Sequence, residues 1–252
     1  MINLEVPKKI APLVNQAHQA AAEVFRPISR KYDNAEHAYP KELDTFAALL
    51  DGLNQSGASG GAGASGVRRD DLKSNGENVN GANLRTVLGA IEMCWGDVGL
   101  LLSMPRQGLG NAAIASVAND EQLKRFADTW SAMAITEPEF GSDSAAVATT
   151  GVLDGDEYVL NGEKIFVTSG ERADSVVVWA TLDKSLGRAA IKSFVVEKTR
   201  PGITVERLEH KLGIKASDTA VIRLDNCRVP KENLLGTQEI DTKKGFAGVM
   251  ET

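Results

Sequence analysis

Apolar residues fall at Ile10, Leu13, Val14, Ala17, Ala21 and Val24, three or four positions apart, and this spacing predicts an amphipathic helix. Pro27 is expected to end or kink it, because proline lacks the N–H that a helix interior needs. Pro40 suits the first turn of a second helix with Leu43, Phe46, Ala47 and Leu50 on one face, and Gly52 is expected to close it at its C-terminus. Leu84, Val87, Leu88, Ile91, Trp95 and Val98 predict a third helix whose stripe, Trp95 included, faces the core, and Pro105 follows its apolar run. Asp120 opens a short helix with Gln122, Leu123 and Phe126.

From Ala132 the period changes. Ala132 to Ile135 reads as a short strand, and Ser175 to Ala180 as a strand covered on both faces. Ile203 to Glu206 and Val221 to Asp225 alternate, as strands with one wet face do. Asp154-Gly155 and Asn161-Gly162 are both expected to be hairpin turns. The fold class is therefore α+β and multidomain: an N-terminal all-α domain over 1–131, a β-sandwich or barrel-like middle domain over 132–236, and a return to helix-like sequence over 237–252.

Composition changes this picture in one place. Residues 54–66 read NQSGASGGAGASG and stay polar to about 83. Such a stretch cannot bury enough apolar surface to offset its ordering entropy, so a flexible loop is expected over about 54–83. The net charge of −6 offers no basic footprint for nucleic acid. No apolar run reaches the roughly 20 residues of a membrane span, the N-terminus has no signal-like segment, and a cytoplasmic location is expected. Cys94 and Cys227 make no metal spacing and are expected to be reduced thiols. His18, His37 and His210 are expected to stand alone, and no metal is expected.

Candidate chemistry concentrates where the first strand ends. Thr136-Glu137-Pro138 breaks the strand, and Glu139 to Ser144 supplies a glycine, two serines and exposed backbone N–H groups suited to a concave polar rim. Three blocks then resemble the acyl-CoA dehydrogenases, a family of flavoproteins. Residues 135–143, ITEPEFGSD, are similar to the family's V-T-E-P-x-x-G-S-D. Residues 161–168, NGEKIFVT, are similar to its N-G-x-K-x-W/F-I/V-T. Gly213 to Thr219, followed by Asp225 to Pro230 and Asn233 to Gly236, resembles its end-of-domain signature. The loop at 54–66 departs from the family.

The resemblance implies flavin adenine dinucleotide (FAD) as cofactor, lined by Met133, Ala134, Ile135, Thr136, Gly141, Ser142, Phe166, Val167 and Thr168. Phe166 would wall the ring, Thr136 and Thr168 would meet its polar edge, and Ser142 would meet a pyrophosphate oxygen or the pantetheine arm of the substrate. The implied reaction is α,β-dehydrogenation of an acyl-CoA to a trans-2-enoyl-CoA, with electron-transfer flavoprotein as acceptor and a homo- or hetero-oligomer, dimer or tetramer, as the assembly. No catalytic base is assigned. By the same resemblance 237–252 would be the start of a C-terminal helical bundle; the family's base lies in that domain, beyond Thr252, so the chain alone is expected to be inactive. Glu137 and Asp143 are expected to hold their turn together. Two other readings remain: a flavin monooxygenase or nitroalkane-oxidase relative of the same fold, and a non-catalytic partner subunit of a heteromeric dehydrogenase.

Overall fold

The computed structural model describes residues 6–55, 82–106 and 109–240. Most of the flexible-loop expectation and most of the helical start expected over 237–252 lie outside these residues, and the described part of the latter, 237–240, is not helical. The chain divides into two compact units. Among the described residues, the first gathers helices α1 (Ala11–Ala20), α2 (Arg26–Asn34) and α4 (Ala82–Leu102) with the segment His210–Ser217. The second gathers α5 (Leu109–Val117), α6 (Asp120–Arg125) and every strand, and α3 (Glu42–Gln55) crosses the chain boundary at Thr45. No helix among the described residues is long and apolar enough to cross a membrane.

In the first unit Pro27 neither ends nor breaks the helix. A five-residue π turn, Ala21–Phe25, joins α1 to α2, and the Arg26 N–H reaches back to the Ala21 carbonyl. The wider turn brings Pro27 in at the start of α2, where a missing donor costs little. Val14, Ala21, Phe25 and Tyr32 are the residues this rod buries. At Gly96 of α4 an added Cβ would lie 2.8 Å from the Ala21 Cβ, so the two backbones meet through small residues. That contact corrects the reading of α4. Leu84, Val87, Ile91, Trp95 and Val98 are exposed rather than core, and Trp95 keeps 50% of its surface in solvent. The Trp95 ring is stacked by His18 at 4.6 Å and covered by the Arg26 guanidinium at 5.2 Å. Asp97 interrupts α4 and acts as an internal cap, accepting the Leu100 N–H at 2.8 Å and the Ser29 hydroxyl. Helix α3 runs through Gly52 to Gln55, so that glycine does not close it.

The second unit is one seven-stranded mixed sheet curled into a half-barrel. Strand β4 (Ser175–Thr181) is its centre. β5 (Ile191–Glu197) pairs along the whole of one edge. The other edge is shared by β1 (Ser131–Ala134), parallel to residues 175–178, and by the start of β2 (Thr150–Asp154) at Thr181. Val176, Val178 and Ala180 join one core with Leu160, Phe194 and Ile222, while Val177 and Trp179 join another with Ala113 and Ile114 of α5. This two-sided burial is why β4 reads as unbroken apolar sequence. β2 turns through Gly155 and Asp156 into β3 (Glu157–Thr168), which pairs with β7 (Thr219–Pro230), and β7 with β6 (Ile203–Leu208).

The Gly155 turn is as expected, with φ 64°. Asn161-Gly162 is not a turn: β3 runs straight through it. Gly162 is required for another reason, since a Cβ there would lie 2.3 Å from the Thr149 hydroxyl.

Helices α5 and α6 are fastened to the sheet by side chains. Asn111 donates to the Thr129 carbonyl at 2.7 Å and accepts the Ser131 N–H at 3.0 Å. Asn119 and Gln122 cap α6 reciprocally, and Gln122 also donates to the Leu234 carbonyl at 2.6 Å. At Gly110 a Cβ would fall 2.2 Å from the Ser131 carbonyl oxygen. Backbone on both sides cannot give, so Gly110→Ala should destabilise by about 2 kcal/mol or more. Gly89→Ala on α4, where an added Cβ meets nothing within 4 Å, should stabilise by up to about 1 kcal/mol. Urea unfolding of both variants checks this, and equal effects would contradict the packing described.

Candidate functional site

Because β1 and β2 share one edge of β4, the chain between them leaves the sheet at Ile135 and returns at Thr149, whose carbonyl accepts the Thr181 N–H at 2.8 Å. The excursion leaves backbone donors without a ladder partner, and buried donors must be satisfied. Glu137 satisfies them. One carboxylate oxygen accepts the Thr149 N–H at 2.9 Å and the Thr149 hydroxyl at 2.5 Å, and the other accepts the Ala148 N–H at 2.7 Å. Lys164 of β3 closes the arrangement, its Nζ 2.7 Å from the carboxylate and 3.2 Å from the Ile135 carbonyl oxygen.

Both side chains are out of solvent, at 0% exposure for Lys164 and 5% for Glu137. Burial pushes the Glu137 carboxyl up, but the Lys164 charge and the hydrogen bonds outweigh it and hold the carboxyl below its ordinary value. Burial pulls the Lys164 ammonium down, against the opposing pull of Glu137. At neutral pH the pair is ionic. Glu137 thus holds the turn, as expected, and its reciprocal backbone bonds with Phe140 (3.1 and 3.2 Å) make that turn tight, whereas Asp143 contributes its carbonyl, which accepts the Ala146 N–H at 3.0 Å, and no side-chain cap.

Lys164 also sits next to a β-bulge. Lys164 faces Ile222 and Val167 faces Ala220, so Ile165 and Phe166 oppose Val221 alone. An unbroken pleat would put Phe166 on the face of Lys164; the extra residue reverses the parity. Val167 therefore enters the core, and Phe166 is turned outward with φ 58° and 61% exposure. A bulky residue in the left-handed region is uncommon and persists only where its surroundings impose it. The Ile165 N–H donates to the Thr136 carbonyl at 2.9 Å, which joins the two sequence blocks directly.

Of the residues expected at the site, Met133, Ile135 and Thr136 are partly buried at the end of β1, and Phe166 and Thr168 are exposed on β3. Gly141 and Ser142 are exposed on the loop beyond the turn. Ala134 and Val167 have their side chains in the core, which leaves their backbone alone to line anything. The hydroxyls of Thr136 and Thr168 bond no other described residue.

Sequence reasoning missed Lys164 and Thr149. It also missed the buried pair of Arg172 with Asp218 (3.4 Å), where Asp218 accepts the Glu171 N–H at 2.8 Å and secures the end of β3.

Lys164→Met strands a buried carboxylate and should cost about 3–5 kcal/mol. The double variant with Glu137→Gln should recover a large part of that loss. Because the folded pKa of Glu137 lies below its unfolded value, its stabilisation is complete above the ordinary carboxylate range and is lost as pH falls through the folded value. Glu137→Gln should therefore flatten the acid side of the stability profile. Unfolding across pH checks both statements; an unchanged acid slope would contradict the second.

Residues 132–227 match the family model for the acyl-CoA dehydrogenase middle domain. An acyl-CoA dehydrogenase of Bacillus subtilis is 39% identical over 147 residues, which is 56% of this chain and 38% of that protein. A 3-(aryl)acrylate reductase of Clostridium sporogenes is 32% identical over 244 residues, 94% of this chain and 59% of that protein. The solved structure of butyryl-CoA dehydrogenase from Megasphaera elsdenii superposes with a TM-score of 0.76 at 25% identity, covering 99% of this chain and 63% of that one. The chain thus spans less than two thirds of each of these proteins. Three sequence blocks, a curled sheet and these relatives agree: residues 132–227 belong to the acyl-CoA dehydrogenase middle-domain family, whose members are FAD-dependent flavoproteins.

Proposed function

We propose that the end of β1 and the bulge of β3 form the flavin-side wall of an FAD site, and that the protein acts on acyl-CoA thioesters. The observation that carries this reading is the outward-turned Phe166 beside two uncommitted threonine hydroxyls, with the two blocks joined through Ile165 and Thr136. This donor set suits FAD: an aromatic face for a planar ring, and hydroxyl and strand N–H groups for its carbonyl-bearing edge. Phe166 would pack against the ring, Thr136 and Thr168 would bond its polar edge, and Met133, Ile135 and the backbone of Ala134 and Val167 would complete the wall. Gly141 and Ser142 offer a polar contact to a pyrophosphate oxygen or the pantetheine arm.

When bound, FAD supplies the two-electron redox partner for a hydride. The reaction proposed is removal of an α-proton and a β-hydride from an acyl-CoA to give a trans-2-enoyl-CoA, with electron-transfer flavoprotein as the acceptor. The relative matched across 94% of the chain is a reductase, which supports running the same chemistry towards the saturated product as a second reading. Either direction needs an aligned proton donor or acceptor. Glu137 is not that group, because its carboxylate is buried, ionised and fully engaged by Lys164, Ala148 and Thr149.

An absorbance and fluorescence titration with FAD tests the wall. Phe166→Ala should weaken binding about tenfold, from lost ring packing and burial, and shift the flavin absorption envelope. Leu153→Ala, at an exposed position of β2, should leave both unchanged. Identical titrations for wild type and Phe166→Ala would overturn this placement.

A further inference from the structure

The three histidines of the chain do not all stand alone. His37 and His210, 173 positions apart, are brought together with Glu36, and one ligand atom from each of the three lies within 4.8 Å of the others. We propose that Glu36, His37 and His210 form a binding site for a borderline divalent transition-metal cation of the zinc class.

The chemistry of the set is specific. Two imidazoles and one carboxylate are a common three-ligand combination for zinc, which leaves a fourth position for water or another donor. Harder cations such as magnesium prefer sites made of oxygen alone. The geometry is close to what a tetrahedral ion needs. Bonds of about 2.0–2.1 Å place ligand atoms about 3.3 Å apart, so closing the triad requires movements of about 1.5 Å. His210 can make most of that movement, because its side chain is largely exposed. Its Nδ1 already lies 2.9 Å from Glu36 Oε2, and the two imidazole centroids are 5.5 Å apart.

The supporting shell is in place as well. The Lys211 N–H donates to Glu36 Oε1 at 2.9 Å, fixing the carboxylate so that its other oxygen faces His210. The His37 N–H donates to the Lys215 carbonyl at 3.4 Å. His37 holds φ 66°, a left-handed conformation imposed just past the end of α2. Both of its ring nitrogens are shielded from solvent, which would protect a bound ion from competing water. None of these residues takes part in the proposed flavin site.

Zinc titration of the metal-stripped chain by calorimetry, with cobalt as a spectroscopic probe, tests the site. Wild type should bind one zinc per chain, and cobalt should give the visible bands of a tetrahedral N/O site. Since loss of even an outer-shell partner costs about 10–100-fold in affinity, His210→Gln and His37→Asn should each weaken zinc at least about tenfold. Asparagine tolerates the left-handed backbone at position 37. His18→Gln should bind like wild type and serves as the control. Zinc should raise the melting temperature of wild type but not of His210→Gln. Absence of saturable zinc binding, or equal binding by wild type and His210→Gln, would overturn the proposal.

Discussion

A carboxylate does the work of a missing strand in this sheet. Where the chain leaves one edge of β4 after β1 and rejoins it at β2, the N–H groups of Ala148 and Thr149 have no ladder partner. Glu137 accepts both. Its charge is tolerable in the interior only because Lys164, fully buried, reaches across from β3. Removing either partner leaves an uncompensated charge, which costs far more than the pair contributes in isolation. The pair also ties the turn to β3, so the local geometry of the excursion and that of the bulge depend on each other.

That coupling explains why the exposed chemistry appears where it does. A bulge in β3 would be a defect if it merely displaced a residue. Here it follows Lys164 at once, keeps Val167 in the core and turns Phe166 outward. A second irregularity farther along the same ladder, where Asp225 and Asn226 oppose Asn161 alone and Asn226 takes φ 48°, adds a residue to the opposite strand and offsets the first. The sheet thus carries strained residues at two places without losing its overall register. At the first of them the strain presents an aromatic face and a bare threonine hydroxyl on the same strand.

The β unit was largely legible in the sequence because its signals are local. Alternation marks β6 and the start of β7, the apolar run marks β4, and Asp154-Gly155 marks a true hairpin. Asn161-Gly162 carries the same dipeptide signal for a different reason. Its glycine makes room for the Thr149 side chain, a neighbour that no local pattern discloses. The stripe on α4 identified an apolar face correctly but not its environment, because the helix packs through Gly96 instead. The histidine pair was hidden by sequence separation. Glu137 and Lys164 stood inside recognised motifs, yet their contact across 27 positions could not be read from spacing.

Native-state hydrogen exchange at Ala148 and Thr149 tests the central claim most directly. These amides have no strand partner, and their protection depends on the Glu137 carboxylate alone. They should exchange as slowly as the ladder amides of Tyr158 and Leu160 in β3, opening only through global unfolding. Exchange near the rate of an unstructured peptide, with β3 still protected, would contradict the claim that a buried ion pair closes this gap in the sheet.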